Sequence, residues 1–216
     1  MHNLILIGAG DFGREVLAWA LDAQSAGADW RVKGFLDDNP RALDGYDLGF
    51  EVLGDVESYQ PAEGDVFVCS IGQPLLRAKV WEQMKAKAAR FTRVIHPSAI
   101  VGPRVELGEG VILCPQVVLT CDLSIGDNSS LNVAVAVGHN VRIGRHCQIS
   151  SFADITGHAV VGDGVFFGSR VSILPNQRVG DYATVGAGSV VIRAVEPHST
   201  VFGNPAKTIF RKTLQS

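Results

Sequence analysis

The chain has 216 residues, 46% hydrophobic and 19% charged, with a formal net charge of −3. This composition belongs to a folded chain with a real core and excludes a disordered one; the slight negative charge gives no footprint for nucleic acid or an anionic membrane. No stretch approaches the roughly 20 apolar residues of a membrane span, and four cysteines without a CxxC pair (Cys69, Cys114, Cys121, Cys147) read as reduced thiols of a cytoplasmic protein.

In chain order, MHNLILIGAGD has neither a basic n-region nor a cleavage site, and its apolar run 4–8 reads as a strand. Residues 14–24 carry apolar side chains at helical spacing. Residues 32–38 are a second strand and 65–72 a third. Residues 75–90 form a second helix, with its cations toward the C-terminal end where they suit the helix dipole. Strands alternating with helices predict a small parallel α/β unit over residues 1–94. Between the first strand and first helix, GAGDFG sets Gly8, Gly10 and Gly13 in GxGxxG spacing. The glycines permit a tight turn, and the following helix N-terminus can face a phosphate. Asp37, at the end of the second strand, stands where a ribose hydroxyl could be accepted. With only a half-Rossmann unit and no hydride-transfer domain, a dehydrogenase is not expected.

From residue 95 to the end the grammar changes to a period of six. Stepping from Ile95 to Val191, seventeen consecutive sixth positions are apolar, and glycine follows nine of them. An apolar residue and a small one two places earlier share one side of a short strand, and the glycine is expected to supply unusual turn dihedrals. Three such units make an 18-residue triangular coil, and seventeen units amount to between five and six coils. Stacked hexapeptides predict a parallel β-helix over 95–216.

This periodicity resembles the left-handed β-helix of the hexapeptide acyltransferases, whose members are typically trimers with active sites in the grooves between neighbouring helices. The tail VFGNPAKTIFRK (201–212) resembles the end of these enzymes. Together with the small N-terminal domain, the chain resembles the bacterial sugar acetyltransferases that acylate nucleotide-linked amino sugars, and their sialic-acid O-acetyltransferase-like relatives. The resemblance implies a homotrimer using acetyl-CoA as co-substrate, no metal, and a product for a surface polysaccharide or glycan pathway. It implies nucleotide-sugar binding at Gly10, Asp11, Phe12, Asp37, Asp38 and Gly72. Asp11-Phe12-Gly13 departs from the Gly-His-Gly of many relatives, so Asp11 has to turn away from any phosphate.

Six histidines stand at 2, 96, 139, 146, 158 and 198. His139 occupies an outward position of its hexad, and Gly157, one coil further, has no side chain to crowd an incoming thioester. A neutral imidazole suits proton removal from an amine at neutral pH. HNVRIG (139–144) is similar to the catalytic-histidine segment of the sugar acetyltransferases, H-(D/E)-x-x-I-G, which implies that His139 is the general base. Asn140 replaces the acid that often follows; it can orient the ring, and either a carboxylate from across the groove or a weaker base is expected. By the same resemblance the Gly157 amide stabilises the oxyanion. Gln148, Ser169 and Ala187 match where relatives contact acetyl-CoA, and Lys207, Arg211 and Lys212 read either as contacts to its phosphates or as a solvated tail.

His96, His158 and His198 read as structural or surface residues. A zinc site would need three imidazoles converging to about 2.0–2.1 Å from one metal. His139 and His158 sit one coil apart at successive hexad positions, where side chains are expected to diverge, and His146 lies on the next face, leaving only a site shared across a trimer groove. The reading is an acetyl-CoA-dependent N-acetyltransferase of a nucleotide-linked, 4-amino-4,6-dideoxy type of sugar. The alternatives are a sugar O-acetyltransferase, a carbonic-anhydrase-like metal enzyme and a non-catalytic nucleotide-binding trimer.

Overall fold

The computed structural model describes residues 1–211. The chain opens with a four-stranded parallel sheet: β1 (His2–Ile7), β2 (Trp30–Leu36), β3 (Val52–Gly54) and β4 (Asp65–Cys69), in the order β3-β2-β1-β4. Helix α1 (Asp11–Ser25) joins β1 to β2, and α2 (Pro74–Ala86) follows β4. The three expected strands and two helices are present. β3 escaped the pattern because three residues at a sheet edge carry no periodicity. α2 ends four residues before the expected Arg90, where Ala88 takes a left-handed conformation (φ 57°). Leu4, Ile5, Leu6 and Ile7 are fully buried, as is all of β4 apart from a few per cent at its first two residues, because helices and loops cover both sheet faces.

The rest is a left-handed parallel β-helix of two- and three-residue strands. Its first face stacks Val94–Ile95, Ile112–Leu113, Ser130–Leu131, Gln148–Ile149, Phe166–Phe167, Thr184–Val185 and Ser199–Phe202. The second stacks Ile100–Val101, Val118–Leu119, Ala136–Val137, Asp154–Ile155, Ser172–Ile173 and Val190–Val191, and the third runs from Val105–Leu107 to Arg178–Val179. The register is eighteen residues up to Val191, as in Val137 with Ile155 and Ile143 with Val161, and shortens to sixteen at the last step, Thr184 with Thr200. Lys207–Arg211 folds back antiparallel on the last strand of the first face.

The sixth-position residues fill the axis: Leu131, Ile149, Ile155, Phe167 and Ile173 are wholly inaccessible. Each such burial contributes roughly 1.5–3 kcal/mol. At the N-terminal end the column opens, with Val101 at 42% exposure, because no preceding coil covers its side of the axis.

One expectation about the turns is corrected. The glycine after the repeat residue is not the left-handed one; that conformation belongs to the residue two places later, as in Asn140 (φ 60°), His146 (φ 59°) and His158 (φ 61°). Gly138 is needed for proximity: a Cβ there would stand 2.9 Å from the backbone nitrogen of Gly157 in the next coil.

Candidate functional site

Two regions carry the candidate chemistry. The first lies at the C-terminal ends of the parallel strands, beside β1, where the connections to β2 and β4 depart in opposite directions. Open α/β sheets bind ligands at such switch points. A cavity of about 310 Å³ opens there, and Gly10, Asp11, Phe12, Asp37, Asp38 and Gly72 all line it. Gly8 has φ 103° and Gly13 packs onto its carbonyl, so a side chain at Gly13 would collide with the turn. Gly10 is different: a Cβ built there meets nothing within 4 Å, so the space beside it belongs to the cavity.

Gly10 is also the N-cap of α1 and offers no side-chain hydrogen bond, which leaves the first-turn N–H groups open to an acceptor. The Asp11 carboxylate is 97% exposed and accepts a 2.5 Å bond from Arg14 Nη2, turned toward solvent as the acid had to be. Asp37 Oδ2 accepts the Ala9 N–H at 2.8 Å and Oδ1 the Asn39 N–H at 2.9 Å. Asp37 thus ties the glycine turn to the end of β2 while lining the cavity. A second hollow of about 570 Å³ shares Gly72 and runs between the start of α2 and the first face of the β-helix, past Leu75, Phe166 and Tyr182.

The second region is the corner between the second and third faces. His139 is exposed there, and its Nδ1 lies 2.9 Å from Asn140 Oδ1. The amide oxygen can only accept, so Nδ1 carries the proton of this bond, and in the neutral imidazole Nε2 is the nitrogen with the lone pair. The ring lies over Gly157: a Cβ at that position would stand 2.7 Å from His139 Cε1 and 2.8 Å from Nε2. The missing side chain at Gly157 therefore makes room for the imidazole itself, whereas it was expected to make room for the thioester. The rings of His139 and His158 do not diverge either. Their centroids are 5.2 Å apart, edge to face, because the left-handed backbone at His158 swings its side chain back along the corner.

The nearest carboxylate of the same column was missed in the sequence. Asp122 sits one coil before Asn140, and its carboxyl is held down to about 2, first by the Arg104 guanidinium that binds it, then by the Cys121 thiol, with a smaller contribution from His139. The Nη2 contact is 2.8 Å. The signal that could have found it is the eighteen-residue ladder Arg104, Asp122, Asn140, His158, all in the left-handed conformation.

The expected coenzyme contacts do not gather on one edge. Ser169 and Ala187 are exposed on the corner between the first and second faces, a full side of the prism away from His139. Lys207 is exposed in the final strand with Arg211, and Lys212 lies outside the described residues. Gln148 does not face an open groove: it is 5% exposed and accepts from Arg77 Nη2 at 3.3 Å, because α2 covers this part of the first face. His146 is likewise covered, with Asn128 Nδ2 donating to its Nδ1 at 3.0 Å and Trp81 edge-on at 6.0 Å. Burial lowers its pKa from the ordinary value. Among the described residues no cluster of three or more His, Cys, Asp or Glu is arranged to hold a metal.

Comparison with known proteins gives two family matches, "PglD N-terminal domain" over residues 3–84 and "Bacterial transferase hexapeptide (six repeats)" over residues 158–193. GDP-perosamine N-acetyltransferase of Escherichia coli O157:H7 is 29% identical over 219 residues, covering 95% of this chain and 96% of that protein. UDP-3-O-acylglucosamine N-acyltransferase of Caulobacter sp. (strain K31) is 38% identical over 112 residues, half of this chain; the chain spans only 33% of that relative's length. Among solved structures, PerB from Caulobacter crescentus in complex with CoA and GDP-perosamine superposes with a TM-score of 0.85 at 29% identity, over 97% of this chain and 98% of the other.

Proposed function

The chain belongs to the bacterial hexapeptide-repeat sugar acetyltransferases, and from that membership we propose that it transfers an acetyl group from acetyl-CoA to the amino group of a nucleotide-linked amino sugar. The observation that carries this reading is the exposed His139 imidazole, with Nδ1 tied to Asn140 and Nε2 without a hydrogen-bond partner among the described residues. It stands on a fold matched end to end by an enzyme crystallised with CoA and GDP-perosamine.

In this mechanism the nucleotide occupies the 310 Å³ cavity, its phosphates toward the open N-terminus of α1 and its ribose toward Asp37. The sugar leaves past Gly72 along the β-helix. Its neutral amine attacks the thioester carbonyl while Nε2 of His139 takes the amine proton. The new C–N bond forms as the carbonyl π pair moves to oxygen. The resulting oxyanion is placed for the Gly157 N–H, which donates to no group among the described residues. Collapse restores the carbonyl, breaks the C–S bond and returns the proton from His139 to the CoA sulfur. Asn140 holds the tautomer without adding charge, and the carboxylate in the ring's column is Asp122, one coil earlier and bound by Arg104.

The α/β lobe rests on the first face and its corner at residues 127–130, whereas His139 stands on a different corner. We therefore propose a homotrimer in which the His139 corner of one copy faces the nucleotide cavity, Ser169 and Ala187 of a neighbour. We place the reaction in the cytoplasm, in keeping with four unpaired thiols. The test is release of free CoA thiol in a panel of UDP-, dTDP- and GDP-linked amino sugars and their hydroxyl counterparts. Amine-dependent thiol release supports the reading. Release only with hydroxyl sugars would move the acceptor to oxygen, and none at all would leave a non-catalytic scaffold.

A further inference from the structure

Arg77 is fully buried, yet none of its hydrogen-bond partners is a carboxylate. Its Nε donates to the Ile71 carbonyl at 2.9 Å and its Nη1 to the Asn128 carbonyl at 2.9 Å. Its Nη2 donates to Ser130 Oγ at 3.1 Å and to Gln148 Oε1 at 3.3 Å. The Ser130 hydroxyl closes the array by donating to the same Gln148 oxygen, and Asn128 Nδ2 returns a bond to the Arg77 carbonyl at 3.2 Å. Taking a guanidinium out of water without a counter-charge is costly, and an apolar side chain of similar volume would fill the space without that cost. A planar fork does something no apolar side chain can: it fixes acceptors from separate elements in one geometry.

One of those acceptors belongs to the candidate site. Ile71 lies in the wall of the 310 Å³ cavity between Ser70 and Gly72. Its Cγ1 also presses on the glycine turn, only 2.9 Å from where a Cβ at Gly8 would stand. A movement of the Ile71 carbonyl is therefore felt at the opposite wall. The other acceptors, Asn128, Ser130 and Gln148, are on the β-helix. The chain from Gln148 through Arg77 and Ile71 to Gly8 is continuous and packed throughout.

We infer that Arg77, oriented by Ser130 and Gln148, is a positioning residue for the nucleotide cavity, fixing its 70–72 wall against the β-helix so that nucleotide affinity is set in part from the other half of the molecule. This rests on the reading of that cavity as the nucleotide site. It also gives Gln148 a role in place of the expected coenzyme contact: it acts on the nucleotide through Arg77 and touches neither substrate.

The experiment uses the full-length protein with Arg77→Met and Gln148→Met, which keep volume and remove the donors or the acceptor. Kd for GDP, UDP and dTDP, and separately for CoA, is measured by calorimetry at a temperature where each variant is folded by circular dichroism. KM and kcat are then measured on the nucleotide sugar that turns over. Arg77→Met is expected to weaken the bound nucleotide about tenfold and Gln148→Met about threefold, on the scale of lost hydrogen bonds to a charged group. KM for the nucleotide sugar rises in parallel, with kcat and the CoA Kd unchanged. Should Arg77→Met fail to fold, Gln148→Met carries the test. A lower unfolding temperature with unchanged nucleotide Kd would overturn the inference and leave Arg77 a structural bolt. Absence of nucleotide binding by the wild type would withdraw the cavity reading and this inference with it. Wild-type binding that neither variant weakens withdraws the inference alone.

Discussion

The α/β lobe and the β-helix solve opposite problems. The lobe encloses its cavity within one chain: strand ends, a glycine turn, the start of α1 and residues 70–72 all face one space. The β-helix buries a column of Ile, Val and Leu and holds its candidate base on an exposed corner, where one chain supplies only a single wall. The difference teaches that the binding half of the proposed site is finished by folding, whereas in the trimer we propose the chemical half waits on a neighbouring copy. Arg77 is a fully buried side chain that bonds directly to both halves.

The comparison makes distinct demands on variants of each region. His139→Ala should lower kcat by roughly 10²–10⁴-fold, the usual range for a general base, with little change in either KM. Near-wild-type turnover would remove His139 from its role. Gly10→Leu puts a side chain into the cavity at a position whose extended backbone (φ −71°, ψ −166°) any residue adopts. It should raise KM for the nucleotide sugar by about two orders of magnitude (about 2.8 kcal/mol) and leave both kcat and the unfolding temperature in place.

Gly157→Ala is subtler. The added methyl meets the His139 ring at 2.7 Å, so the imidazole must move; kcat should fall about tenfold, with circular dichroism unchanged. The smallest effect is on stability. Burial holds the His146 imidazole below its ordinary value of 6.5, so the unfolded chain takes up this proton first as the pH falls. The stability tied to neutral His146 is present above that value and is lost below it. His146→Asn keeps a residue suited to the left-handed backbone. It should therefore reduce the fall in unfolding temperature on acidification by a few degrees at most.

The features legible in the sequence are those that local periodicity encodes. Seventeen hexads gave the axis of the β-helix because each unit repeats its own chemistry, and GAGDFG gave the cavity because a tight turn and a helix start lie next to each other in the chain. Gln148 was misplaced for a physical reason: on a bare coil its position points outward, but α2 lies over it. Arg77 was missed for the matching reason. Within PLLRAK it reads as an ordinary helical cation, and its burial follows from contacts 51 to 71 residues away. His158 was expected to diverge from His139 because it stands at the next hexad position, whereas the left-handed backbone that brings the two rings together belongs to the turn of the coil.

The claim that the lobe is complete alone and the catalytic corner is not meets its most direct test in mixed assemblies. His139→Ala and Gly10→Leu chains, each nearly inactive at low substrate, are co-expressed, purified as hetero-oligomers and assayed for thiol release. If each site joins the cavity of one copy to the His139 of another, about a third of wild-type activity returns, since every mixed trimer has one site of its three at which an intact cavity meets an intact histidine. Mixed oligomers no more active than the parents would contradict the account and assign cavity and histidine to the same chain.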